Sequence, residues 1–129
     1  MLRVKLRHVD GWNARRRAHA ARYRSELAGL PLALPVERAD AFHVYHQFVI
    51  RCPARDALRD HLTARGIATL VHYPWALSEV EGLAHCVRFR ERPRRAEEAA
   101  RTVVSLPIYP ELPAEHLERT LDALRAFSP

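Results

Sequence analysis

The first 27 residues follow steps of four and three, which is the repeat of a single face of an α-helix. Gly29 then stands where a left-handed C-cap residue would lie, and Pro31 cannot continue a helix. About 26 helical residues at ~1.5 Å each form a rod of about 40 Å, longer than a domain of this size normally covers. We therefore expect the leading half to contact something outside the chain; the alternative is a long helix packed across its own sheet. The stripe consists of Leu2, Leu6, Val9, Asn13, Arg16, Ala20, Tyr23 and Leu27.

The remaining sequence alternates between strand patterns and helix patterns. In chain order we predict a strand at 43–51, a helix at 53–66, a strand at 67–73, a helix at 95–103, a strand at 105–108 and a helix from Pro113 onward. Residues 74–93 lack periodicity, and a loop of that length in a compact domain is usually functional or disordered. These patterns predict one α+β domain over residues 1–129, with a small mixed sheet of about three strands packed against helices.

The charge and cysteine content narrow the classes of partner. A net charge of +6 is compatible with a nucleic-acid partner. However, Arg15–Arg17 run around a helix, Arg88–Arg95 crowd a loop, and only Phe89 is available there for base stacking. We therefore predict no nucleic-acid partner. No apolar run reaches the ~18 residues of a membrane span, and Cys52 and Cys86 fit neither a disulfide framework nor a zinc site. The prediction is a cytoplasmic protein that does not contact a membrane.

Four segments, in order, carry a recognisable combination of residues. They are Trp12-Asn13 followed by arginine, alanine and tyrosine; the strand 46–51, which begins with histidine; 66–74, which ends His72-Tyr73-Pro74; and 96–112, which contains Ser105-Leu106-Pro107. Together they resemble the small C-terminal domain of the DegT-type sugar-nucleotide aminotransferases, which have the aspartate aminotransferase fold. The chain departs from the family pattern at Ala76 and Ser78, where relatives commonly carry proline and histidine, and at Pro93, which lies one residue early.

The resemblance implies an enzyme that uses pyridoxal phosphate, bound through a lysine in a large N-terminal domain. The chain has 20 arginines and a single lysine, Lys5, which lies on the predicted long helix without the serine that precedes the family's cofactor lysine by three positions. No glycine-rich turn offers backbone donors for a phosphate. We therefore expect the large domain to be absent, no catalytic, cofactor-binding or metal-binding residue in this chain, and no transaminase activity by the chain alone.

The resemblance also implies that the histidine loop faces the substrate. We predict that His72, Tyr73, Trp75 and Ser78 contact a nucleotide sugar, because imidazole and phenol donate hydrogen bonds and aromatic faces stack on sugar rings. The alternative is that His72 caps its own strand and Trp75 fills the core.

Two further residues are interpreted structurally. His46 shares a strand face with Phe48 and Ile50, which predicts a core histidine. Ser105 has no visible base, which predicts a simple strand-end hydroxyl.

The leading hypothesis is thus the C-terminal portion of a pyridoxal-phosphate-dependent sugar-nucleotide aminotransferase of amino-sugar biosynthesis. Such a chain could be a truncated product, an expression fragment or one half of a split enzyme. Its expected partner is the large-domain half, or a second copy, bound through Leu2, Leu6 and Val9. The alternative is a non-catalytic binding or regulatory module derived from that domain, for which Ala76 and Ser78 are the support. A basic nucleic-acid binder is the third hypothesis.

Overall fold

Two antiparallel strands form the sheet in the computed structural model, which describes residues 2–83, 85, 86 and 88–128. Strand β1 (Phe48–Arg51) pairs with β2 (Val103–Leu106), with Phe48 opposite Leu106 and Arg51 opposite Val103. Single-residue bridges extend each edge: Ala33 pairs with Arg51, and Leu70 pairs with Ser105. The predicted α+β class is confirmed, with two regular strands where about three were expected.

The segment predicted as the third strand, residues 67–73, contributes one bridge and no regular strand. Leu70 and Ser105 exchange both backbone hydrogen bonds, at 2.8 and 3.3 Å. In the same register, the next pair on one side would place Ala68 opposite Pro107. Proline has no N–H to donate to a ladder. Pro107 therefore limits the pairing on that side to a single bridge.

The described part of the chain contains five α-helices besides the sheet. They are α1 (Leu2–Leu6), α2 (Val9–Glu26), α3 (Arg55–Thr63), α4 (Arg94–Thr102) and α5 (Ala114–Arg125). Two short 3₁₀ turns, Leu77–Glu79 and Glu81–Leu83, lie in the long loop after residue 74. None of the helices in the described residues is both long and apolar enough to cross a membrane.

The predicted long N-terminal helix is interrupted by a turn at Arg7 and His8, where the His8 N–H donates to the Lys5 carbonyl at 3.0 Å. The first segment, α1, buries no residue. Leu2 and Leu6 are 80% and 66% exposed, whereas Val9 is half-buried. Most helix stability in proteins comes from packing of an apolar face. Since α1 buries no residue, no packing among the described residues holds the leading turns in line with α2.

The helix ends follow the glycine signals in the sequence. Gly66 has a positive φ of 71°, and its N–H donates to the Thr63 carbonyl at 2.9 Å. The following Ile67 N–H reaches back to the Leu62 carbonyl at 3.0 Å, and the Ile67 side chain is buried. This pair of bonds is the Schellman motif, which requires a residue that tolerates a left-handed conformation. Gly29, with φ 89°, ends the turn that follows α2 in the same conformational region.

The core lies between α2, α3, α5 and the sheet. Tyr23 packs on Phe48 with 4.9 Å between ring centroids, and both side chains are fully buried. The Tyr23 hydroxyl donates to the Pro107 carbonyl at 3.0 Å. Burial raises the pKa of Tyr23 above its ordinary value, so the hydroxyl keeps its proton and its donor role. The largest fully buried side chains are Tyr23, Leu27, Phe48, Ile50, Leu58, Leu62, Val104, Leu117, Thr120 and Leu121.

A charged cluster fastens the connection between α2 and β1 to the helix. Arg17 Nη1 donates to Glu37 Oε1 at 2.5 Å and to the His43 carbonyl at 2.6 Å. The His43 N–H donates to the same Glu37 oxygen at 2.9 Å. The Arg17 guanidinium also lies 4.2 Å from the centroid of the Phe42 ring. One carboxylate and one guanidinium therefore fix a proline-containing segment that has little regular hydrogen bonding of its own.

This cluster predicts an acid-sensitive contribution to stability. The hydrogen bond from Arg17 lowers the pKa of Glu37 from 4.5 to about 2. A carboxyl whose folded pKa is depressed stabilises the fold fully above its unfolded pKa and loses that contribution as the pH falls through the folded value. We expect the urea midpoint to fall between about pH 4.5 and pH 2. Glu37→Gln should remove much of this fall, while Asp40→Asn in the exposed Arg38–Asp40 pair should leave it unchanged. Identical pH profiles for the wild type and Glu37→Gln would contradict the assignment.

Candidate functional site

A cavity of about 500 Å³ lies where the end of β2, the bridge segment 66–72 and α5 meet. Its position follows from the single bridge at Leu70, since the chain diverges from β2 on either side of that pair. The lining is mostly apolar, with several polar side chains among the lining residues. The polar side chains lining the cavity are His46, Gln47, His72, Ser105, Tyr109, His116, Arg119 and Thr120.

His72 and Ser105 form the one side-chain pair in the cavity with a direct hydrogen bond among the described residues. His72 Nδ1 lies 2.9 Å from Ser105 Oγ. Ser105 is 7% exposed and His72 is half-buried. The backbone of Ser105 pairs with Leu70, which lies two residues before His72 in the sequence. This pairing brings Ser105 close to His72. The expectation that Ser105 has no base nearby was wrong, because its partner comes from a segment 33 residues away.

The aromatic residues that follow His72 are exposed. Tyr73 is 74% exposed and Trp75 is 66% exposed. The His72 and Tyr73 rings meet edge to face, with centroids 5.8 Å apart. Trp75 therefore does not fill the core, and the His72 side chain bonds to Ser105 of β2 and does not cap a strand formed by its own segment. The segment from His72 to Trp75 presents one imidazole to the cavity and two large rings to the surface beside it.

Ser78 lies apart from that group, in a cluster that we call the Glu97 cluster (Ser78, Arg92 and Glu97). The Ser78 hydroxyl donates to Glu97 Oε1 at 3.1 Å, and Arg92 Nε lies 2.8 Å from Glu97 Oε2. Glu97 is buried on α4. In a second pair the carboxylate is on the loop and the arginine is on α4: Glu79 accepts a hydrogen bond from Arg101 at 3.0 Å. The two carboxylates thus fasten both ends of the loop after Trp75 to α4.

His46 is exposed at the cavity edge, so the prediction of a core histidine was wrong. The strand predicted at 43–51 begins only at Phe48, so His46 lies before it. Tyr45 has a positive φ of 49°, and its N–H donates to His43 Nδ1 at 2.8 Å. This turn breaks the alternation of faces before β1 begins at Phe48. No sequence signal indicated this turn, because tyrosine is a residue type that favours strands.

The residues that the structure describes do not form a pyridoxal-phosphate site. Such a cofactor needs a lysine amine and donors for its phosphate. The only lysine of the sequence, Lys5, lies on α1, which buries no residue, and it does not line the cavity. Within the described residues no group of three or more His, Cys, Asp or Glu side chains could hold a metal ion. The cavity instead offers imidazole, hydroxyl and guanidinium groups for a polar ligand.

In fold, the chain resembles part of the Streptomyces venezuelae protein DesV, solved in complex with a ketimine intermediate. The TM-score is 0.91 at 47% identity, over 96% of this chain and 34% of DesV. The sequence matches the DegT/DnrJ/EryC1/StrS aminotransferase family over residues 1–125, and the chain belongs to this family. The predicted family is confirmed.

Two further relatives, one matched by sequence and one by structure, are considerably longer than this chain. The chain is 46% identical to a dTDP-3-amino-3,4,6-trideoxy-alpha-D-glucose transaminase of Streptomyces venezuelae, over 99% of this chain and 34% of the relative. The Bacillus subtilis protein NtdA, 27% identical with a TM-score of 0.75, was solved with bound cofactor PMP; the match covers 88% of this chain and 28% of NtdA. The family depends on pyridoxal phosphate. The chain spans about a third of the length of the relatives that it matches.

Proposed function

We propose that residues 1–129 form the C-terminal small domain of a cytoplasmic, pyridoxal-phosphate-dependent sugar-nucleotide aminotransferase. The family match over residues 1–125 carries this proposal. The chain supplies no cofactor lysine, so the cofactor and the acid–base chemistry belong to a large domain. The contribution of this chain is to bind and orient the sugar. A non-catalytic module remains the alternative, and the comparisons do not favour it.

We assign His72, Tyr73 and Trp75 to the substrate-facing surface. His72 offers a hydrogen-bonding nitrogen to the cavity, and the exposed rings of Tyr73 and Trp75 offer flat apolar faces of the kind that pack on sugar rings. A largely exposed tryptophan three residues after a cavity-lining histidine adds little to the stability of this chain, which supports a ligand or a neighbouring domain as its partner. Ser78 stays a predicted contact, with its hydroxyl engaged by Glu97.

We further propose that α1 packs against the large domain of the enzyme. Leu2, Val4 and Leu6 expose more than half of their surface. Exposed apolar side chains grouped on one short helix indicate a surface that another protein covers. Since the matched relatives are about three times the length of this chain, the remaining part of the enzyme is the occupant we favour. Sedimentation of the chain alone and with a separately produced large domain measures this association. Leu6→Glu should prevent binding of the large domain. A dimer of the chain by itself would show that a second copy covers α1.

A chimera tests the catalytic proposal directly. Residues 1–129 would replace the matching third of the Streptomyces venezuelae transaminase, and the transamination of its nucleotide sugar would be measured. We expect an active chimera in which His72→Ala and Trp75→Ala each lower kcat/KM by about 10- to 100-fold, the range for losing one or two good contacts.

The matched control for Trp75→Ala is Phe42→Ala, an exposed aromatic residue on the α2–β1 connection that does not line the cavity. This variant should keep the activity of the chimera. An active chimera whose kcat/KM is unchanged in both His72→Ala and Trp75→Ala would contradict the assigned surface. A folded chimera that binds the cofactor and does not transaminate would contradict the proposed function.

A further inference from the structure

The bond between His72 and Ser105 defines which proton the imidazole presents to the cavity. A neutral histidine has one N–H donor and one bare nitrogen, and a serine hydroxyl has a single donor. Two arrangements therefore fit the 2.9 Å contact between Nδ1 and Oγ. Either the serine donates to a bare Nδ1, leaving the proton on Nε2, or Nδ1–H donates to the serine.

The surroundings of Ser105 distinguish the two arrangements. Its side chain is almost fully buried, and within the described part of the chain its hydroxyl has no hydrogen-bond partner besides His72. If Nδ1–H donated to the serine, the hydroxyl proton would be left unpaired in a buried position, which is unfavourable. When the serine donates, its one proton and the bare Nδ1 are both paired, and Nε2–H is the only donor of the pair left over. That nitrogen has no partner among the described residues.

We propose that Ser105 is a positioning residue that holds His72 as the Nε2–H tautomer, so that His72 donates a hydrogen bond to an oxygen of the sugar. This inference rests on the proposed function for the identity of the ligand. The Nε2–H group makes the cavity selective for a ligand that places a hydrogen-bond acceptor, such as a hydroxyl or carbonyl oxygen, next to His72. A ligand that presents an ammonium there would meet an N–H and would be disfavoured.

The tautomer can be measured on the 129-residue chain without any ligand. Long-range ¹H–¹⁵N correlation spectra of ¹⁵N-histidine-labelled protein, recorded above the titration range of histidine, report which ring nitrogen carries the proton. We expect the proton of His72 on Nε2 and an Nδ1 resonance shifted by an accepted hydrogen bond. Ser105→Ala should remove that shift, and Ser105→Thr, which keeps a hydroxyl, should retain it. Unchanged Val104 and Leu106 amide resonances would show that β2 still pairs.

A proton found on Nδ1 in the wild type would overturn the proposal, as would a His72 spectrum unaffected by Ser105→Ala with β2 intact. In the active chimera, Ser105→Ala should raise KM by about tenfold with a smaller change in kcat, and Ser105→Thr should restore it. If Ser105→Ala instead lowered kcat by about tenfold and left KM unchanged, that result would argue against a positioning role in substrate binding. Because the spectroscopic arm needs no substrate, failure of the proposed function leaves the tautomer result standing, and the reverse also holds.

Discussion

Replacing Phe48 by alanine is expected to lower the free energy of unfolding by about 3–5 kcal/mol, the usual cost of removing a buried aromatic ring. Phe48 is fully buried on β1 and lies between two other rings, with Tyr23 at 4.9 Å and Tyr45 at 6.1 Å between centroids. The substitution removes apolar contacts and opens a cavity in a region where both neighbours are fixed by hydrogen bonds of their own. Urea unfolding followed by circular dichroism measures the change.

Phe42→Ala is the control for this experiment, because it makes the same chemical change at a side chain that is exposed. Its ring stacks with the Arg17 guanidinium, 4.2 Å from the ring centroid, a cation–π contact for which about 0.5–1 kcal/mol is expected. Since domains of this size have only about 5–15 kcal/mol of stability in total, Phe48→Ala should weaken the fold severely and Phe42→Ala should not. Equal effects of the two substitutions would contradict the position of Phe48 in the core.

Replacing Glu97 by alanine is expected to release the loop that follows Trp75. Glu97 accepts from Ser78 and Arg92, and hydrogen bonds to a charged group contribute about 1.5–3 kcal/mol when they are not exposed. Arg92 is largely exposed, which places the expected loss at the lower part of that range. Amide hydrogen exchange in residues 76–83 should therefore become about 10- to 100-fold faster, while exchange in β1 and β2 should change little.

Glu98→Ala is the matched control, since Glu98 is the adjacent carboxylate on the same helix. Its carboxylate pairs with Arg51 at 2.8 Å on an exposed surface, and among the described residues no ion pair or side-chain hydrogen bond joins it to the loop. We expect exchange in residues 76–83 to remain as in the wild type. If Glu97→Ala and Glu98→Ala had the same effect, the loop would be held by the Glu79–Arg101 pair and not by the Glu97 cluster.

The comparison of α1 with α3 explains why local patterns predict some elements better than others. The Schellman motif at Gly66 and the proline ahead of α5 act within a few residues, so the sequence specifies these boundaries directly. The stripe through α2 was correct from Ala20 to Leu27, where the helix packs on the core. The same periodicity in α1 predicted a continuous helix and not its interruption at His8. A helical repeat describes which residues share a face, and it carries no information on whether anything covers that face.

The sequence by itself determined the family, the end of α3, the start of α5 and the apolar residues of α2, α3 and α5, because these depend on residue type and short spacing. It also indicated His72 as the residue facing a ligand, through its resemblance to the family's histidine loop, and this assignment stays a proposal. Only the tertiary structure decided that Ser105 is the partner of His72, that His46 lies outside the core and that Glu97 holds the loop. Each of these depends on contacts between distant segments or on one backbone angle at Tyr45. No local pattern encodes such contacts, since the register of a sheet and the path of a loop are set by packing of the whole domain.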